Sequence, residues 1–293
     1  MSFLAKLRAL VEEPPPQYAF EIGPAGLAIW QAGRGLQFAA IEGLDREADS
    51  TLLEALLRRH APNANGHRRP AAVILPDSAA RVSLLDFDTF PRKAEEQLGL
   101  VKLRLKRTVP FDIESAVCTY QVDSKADPKV NVLAEAIALE KIAPVETAFR
   151  NAGFHPGFIT VSSLAMAQLV EPHTAFLKLS GNHLSLGYFD DSRLRLYRDL
   201  ELDSPSLDAV LDIVDPTLAY LADVLQLKPS RIDHCGLEEL AAPLTEHLAA
   251  NWELTLAPLR ARVEGRTQAV DEFNAGLVGY LAGQGDEAFA GVS

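Results

Sequence analysis

Two short stretches, far apart in the chain, share one design. Phe20-Glu21-Ile22-Gly23-Pro24 and Leu177-Lys178-Leu179-Ser180-Gly181 each close an apolar strand and turn at a glycine into a second strand. The first hairpin pairs Tyr18–Gly23 with 27–31, and the second pairs 175–179 with 184–189. Each then turns again, at Gly33-Arg34-Gly35 and at Asp190-Asp191-Ser192, into a third strand, 36–41 and 194–200. Turn residues between apolar runs are what tight hairpins require. Three strands in succession followed by helix and strand imply a mixed sheet with helices packed on it, and the pattern occurs twice. The chain therefore reads as an α/β protein of two related halves.

In the first half a helix over 50–60 places Leu52, Leu53, Leu56 and Leu57 on its buried face, and a strand follows at 71–75. Residues 81–154 read as a separate unit. Leu85 and Phe87 alternate with Asp86 and Asp88, as in a half-buried strand. A helix over 93–107 aligns Leu98, Val101 and Leu105, and Val109-Pro110-Phe111 ends it. Strands at 116–122 and 130–137 and a helix at 142–152, capped by Gly153, complete this unit. Layering resumes with a strand at 157–161 and a helix at 164–169 capped by Ser162 or Ser163. In the second half, helices over 205–226 and 237–251 flank Arg231–Cys235, and an apolar helix runs over 270–281. The expected division is thus 1–16, an amphipathic segment; 17–80, a first body completed by about 155–174; 81–154, an insert; and 175–293, the second half.

Charge and side-chain spacing exclude several functions. The net charge of −12 repels phosphate backbones, so no nucleic-acid partner is expected. Cys118 and Cys235 form no disulfide or metal pattern, and the seven histidines show no metal-ligand spacing, so no metal is expected. With neither a Walker A loop nor a nucleophile elbow, no catalytic residue is assigned. Asp86 and Asp88 read as a solvated strand face. The basic cluster Lys102, Arg104, Lys106 and Arg107 reads as a solvated helix face or as a surface for an acidic partner. Phe3, Leu4, Leu7, Leu10 and Val11 share one face of a helix stopped by Pro14-Pro15-Pro16, which must dock on its own body, a partner or a membrane surface.

The element order is a β-β-β-α-β half, a β-α-β-β insert and a second β-β-β half. Its most specific stretch runs from Leu75-Pro76-Asp77-Ser78 through Arg81–Asp88, the basic helix end Leu103–Arg107 and Val109-Pro110-Phe111-Asp112 to Tyr120-Gln121-Val122. This resembles the PilM family of type IV pilus assembly proteins, relatives of the cell-division protein FtsA in the actin-like superfamily. The resemblance covers most of the chain and thins after about residue 200. It implies an actin-like, ribonuclease H-like fold with the second half reduced. It also implies a cytoplasmic scaffold, peripheral at the inner membrane, that binds the cytosolic tail of a PilN-like membrane protein between the first body and the insert. Self-association is a further expectation. Val82, Leu84, Phe87, Lys102 and Arg104 are expected to meet the partner.

The same resemblance places nucleotide-site positions at Glu21, Gly23, Lys178, Gly181 and Gly236, and these depart from its pattern. Actin-like ATPases carry an aspartate where Glu21 and Lys178 stand. Lysine cannot ligate Mg²⁺, and Pro24 removes an N–H from the first turn. Only one glycine, Gly236, stands at the usual Gly-Gly turn, and Glu238 and Glu239 follow it. Between Leu200 and Ile232 there is room for little more than one long helix. No cofactor is expected, and Lys178 is expected to pair with an acidic neighbour. The alternatives are an ATPase that switches with ATP and Mg²⁺, and a membrane-surface adaptor using residues 1–16.

Overall fold

The computed structural model describes residues 16–41, 50–62, 67–122, 129–191, 193–263 and 266–284. The amphipathic 1–15 stretch lies outside the described residues. The first half contains strands β1 (Tyr18–Gly23), β2 (Gly26–Gln31) and β3 (Gly35–Ala40), helix α1 (Ser50–His60) and strand β4 (Arg69–Leu75). The insert contributes β5 (Ala80–Phe87), α2 (Ala94–Leu105), β6 (Ala116–Val122) and β7 (Val130–Ala138). Then come α3 (Leu139–Asn151), expected within the insert but packed on the sheet of the first body, β8 (Phe154–Val161) and α4 (Ser162–Met166). The second half holds β9 (Thr174–Ser180), β10 (His183–Asp190), β11 (Arg193–Glu201), α5 (Leu207–Asp223), β12 (Arg231–Cys235), α6 (Ala241–Trp252) and β13 (Leu256–Pro258). A small hairpin, β14 (Arg260–Val263) with β15 (Arg266–Ala269), and α7 (Ala275–Ala282) follow.

The duplication read in the sequence is present in the sheets. The first has the order β3-β2-β1-β4-β8 and the second β11-β10-β9-β12-β13. In each, an antiparallel three-strand start is extended by two parallel strands. Strand alternation then assigns faces. Phe20 and Val73 meet Leu53, Leu57, Val145 and Phe149 of α1 and α3. Ala19, Ala72 and Ile74, on the other face, meet Leu277, Tyr280 and Leu281 of α7. In the second sheet Ala175 and Leu177 meet Val210, Val214, Leu244 and Leu248 of α5 and α6. Phe176 points oppositely, toward Met166, Ala275 and Val278. Helix α7 therefore follows the second sheet in sequence but packs on both halves.

Several expectations shift. Leu52 is 38% exposed and stands off the buried face of α1. Helix α4 begins at Ser162 itself, with no side-chain cap at Val161, because Ser162 is engaged elsewhere. Strands β13 to β15 occupy a stretch in which the sequence analysis placed none. The single helix α5 fills the stretch between β11 and β12, as the short spacing required.

Candidate functional site

Glu21 and Lys178 occupy equivalent places. Glu21 pairs with Ile74 at the end of the β1–β4 ladder, and Lys178 with Cys235 at the end of the β9–β12 ladder. Alternation puts Glu21 on the α7 side of its sheet, with Ala19, and Lys178 on the side of Phe176. Both side chains are buried where the halves meet.

Lys178 Nζ donates to Asp77 Oδ2 at 2.8 Å, with both side chains 2% exposed. Asp77 lies in the 3-10 turn after β4, so the pair ties the second sheet to the first half. Its other oxygen accepts from the Ser163 N–H at 2.7 Å. Burial pushes the Asp77 carboxyl up, but the Lys178 ammonium and the Ser163 N–H outweigh it and hold it below the usual range. Burial likewise disfavours the charged lysine, yet Asp77 and Glu21 keep its pKa above the ordinary value. The acidic neighbour expected for Lys178 is Asp77.

Glu21 caps a helix from a distance. Its Oε2 accepts from the Leu277 N–H at 2.7 Å and its Oε1 from the Gly276 N–H at 3.3 Å, both in the first turn of α7. The Ser162 hydroxyl also donates to Oε1. Free N–H groups and the dipole at a helix start favour a carboxylate. Burial nonetheless raises the pKa of Glu21, against the pull of Lys178 and these donors. The close approach of α7 depends on Gly276, where a Cβ would stand 2.7 Å from Ser162 Cα and 2.8 Å from Ile74 Cγ2.

Above these buried groups lies an open cleft of about 370 Å³ between the hairpin turns. Pro24 and Gly181 line it from opposite hairpins, and a Cβ on Gly181 would stand 3.5 Å from Pro24 Cγ. The proline ring thus sits against the opposing turn. Among the described residues nothing stands within 4 Å of where a Cβ on Gly23 would be. Gly236 turns with φ +73°, and a Cβ there would fall 1.9 Å from the Leu179 carbonyl oxygen, so only glycine fits. Glu238, Glu239 and Glu272 also line the cleft. Burial raises the pKa of Glu272, with Glu238 and Asp271 adding to it.

No family model matches the chain, and no curated protein does. Solved structures do. A chain of a PilM–PilN type IV pilus biogenesis complex superposes with a TM-score of 0.64 at 20% identity, covering 96% of this chain and 100% of that one. A Bacteroides thetaiotaomicron protein of unknown function, described as having an actin-like ATPase fold, superposes with a TM-score of 0.55 at 9% identity, covering 83% and 91%. The fold is actin-like.

In this actin-like frame the cleft residues are brought together, whereas the expected partner residues are split between two surfaces. Phe87 is corrected: it is 5% exposed, packed with Val101 and Leu105 in the insert's core, with the Arg104 guanidinium 5.2 Å above its ring. Val82 and Leu84 differ from it in strand parity and lie on the opposite face of the insert sheet. Leu84 is 38% exposed, and Val82 packs against the core of the first half. Lys102 sits 3.5 Å from Glu114, and Arg104 donates to the Asp86 carbonyl, so both engage the insert's own surface. Lys129 pairs with both Asp86 and Asp88.

The face bearing Leu84 holds groups to which no motif in the sequence points. Leu84, Leu133 and Gln121 form one cross-strand row, and Val82, Glu135 and Thr119 the next. Glu135 reaches Thr160 of β8, the outermost strand of the first sheet, at 3.4 Å. Glu135 Oε1 and Gln121 Oε1 are buried with no hydrogen-bond partner among the described residues. Burial pushes the Glu135 carboxyl up to about 7. The available signal was a lone acid in the apolar run Val132-Leu133-Ala134-Glu135-Ala136-Ile137.

Proposed function

We propose that this chain is a scaffold of a pilus or related secretion assembly complex that holds the cytosolic tail of a PilN-like inner-membrane protein and does not hydrolyse ATP. The tail lies in an extended form between the insert and β8. One observation carries this reading: the insert face beside Leu84 and Leu133 holds two buried acceptor oxygens, on Gln121 and Glu135, that lack donors among the described residues. Buried acceptors of this kind favour a ligand bearing N–H groups, such as a peptide main chain. The fold-wide likeness to a PilM–PilN chain is consistent with it. The protein then works at the cytoplasmic face of the inner membrane through its partner. Among the described residues no helix is long and apolar enough to cross a membrane. Against ATP chemistry stand the three glutamates of the cleft and a lysine already paired with Asp77.

The test is fluorescence anisotropy with a labelled peptide. The peptide should copy the cytosolic tail of a PilN-like single-span membrane protein from the same genome. Leu84→Asp should weaken binding by about tenfold or more, with an unchanged circular dichroism spectrum. Absence of binding by the parent protein, or equal affinity in the variant, overturns the assignment.

A further inference from the structure

We propose that Lys178 is a built-in cation that keeps the two halves closed, so that the cleft neither opens nor shuts with a nucleotide. This goes beyond the scaffold reading and does not depend on tail binding.

Three ties cross between the halves beneath the cleft. The first is the ion pair of Lys178 on β9 with Asp77 beyond β4. The second is the 2.8 Å hydrogen bond between Ser163 Oγ of α4 and Tyr197 OH of β11. The third runs through α7, whose first N–H groups are held by Glu21 while Ala275 and Val278 pack with Phe176 and Cys235 of the second half. Gly276 and Gly279 let this helix touch the α4 backbone directly, for a Cβ at Gly279 would stand 2.3 Å from the Ala165 oxygen. Such contact leaves little slack for one half to turn against the other.

The chemistry of the tie matters as much as its position. A free cation bridging two acidic groups can leave, and closure would then follow its supply. An ammonium carried on β9 cannot leave, so its local concentration never falls. Separating it from Asp77 breaks a buried pair whose second oxygen is already fixed by the Ser163 N–H. A nucleotide that could offset this cost by binding would meet Glu238, Glu239 and Glu272 around the cleft and the Pro24 ring against Gly181.

Native-state hydrogen exchange on the full chain tests the proposal, with and without ATP and Mg²⁺. In the parent protein the amides of Ser163, Gly276 and Leu277 should be strongly protected and unchanged by nucleotide. In Lys178→Met they should lose about a hundredfold in protection. The Leu184 and Leu186 amides of the β9–β10–β11 ladder should lose far less, which separates opening from unfolding. Asp77→Asn preserves side-chain size and should give the same pattern if Lys178→Met does not fold. Slower exchange of the three amides on adding ATP and Mg²⁺ overturns the proposal. So does full protection in a folded variant, or loss spread evenly through the sheets in both variants.

Discussion

Asp77 and Glu135 are both buried carboxyls: at Asp77 the lysine partner outweighs burial, whereas at Glu135 burial prevails. Asp77 has both oxygens engaged, one of them by a lysine, and is held charged. It stabilises the fold above the ordinary aspartate range and loses that contribution as pH falls through its depressed pKa. Glu135 has one oxygen without a donor, and its folded pKa of about 7 lies above the 4.5 of an ordinary glutamate. Between those values the folded state keeps a proton that the unfolded chain releases. Stability therefore falls as pH rises through this window, by about 3 kcal/mol in all. Glu135→Gln should thus be more stable than the parent at pH 8, by up to about 3 kcal/mol, and nearly equal to it at pH 5. Urea unfolding at the two pH values measures this, and a gap that is larger at pH 5 contradicts it. At this scale Glu21 and Lys178 were legible, because each interrupts an apolar strand with a charge. Asp77 was not, because an acid after a strand reads as ordinary turn chemistry until Lys178, 101 residues on, is seen to reach it.

Among the elements, α7 depends most on close approach. Gly276→Ala should cost about 1–3 kcal/mol, since neither the Ser162 backbone nor Ile74 can retreat easily from a new methyl. Gly99→Ala is the control: that glycine sits on exposed α2 with nothing near its missing Cβ, and the change should add up to about 1 kcal/mol of stability. Thermal melts of the two variants should move in opposite directions. The repeated hairpins and the insert were legible because strand alternation and turn residues are local signals. Strands β13 to β15 were missed because they are only 3 and 4 residues long and Pro258 breaks the run. The cap of α4 was misread because Ser162, a residue that reads locally as a cap, bonds Glu21 141 positions earlier in the chain.

For the molecule as a whole, the proposal that Lys178 holds the halves together without a nucleotide makes a simple prediction. Millimolar ATP with Mg²⁺ should leave the melting temperature unchanged, whereas any ligand that selects the folded state raises it. A rise of several degrees would favour a nucleotide-binding protein. The two-halved plan could be read from the order of elements, but the path of α7 could not, because helical periodicity says nothing about which sheet a helix will cover. That path bears on how the chain is made. Glu21 finds its helix N–H donors at Gly276 and Leu277, 255 and 256 residues later. During synthesis the first sheet emerges long before the helix that covers Ala19, Ala72 and Ile74. Until α7 emerges, the sheet keeps an apolar face and a carboxylate without their cover, and a nascent chain in that state is open to holdase chaperones.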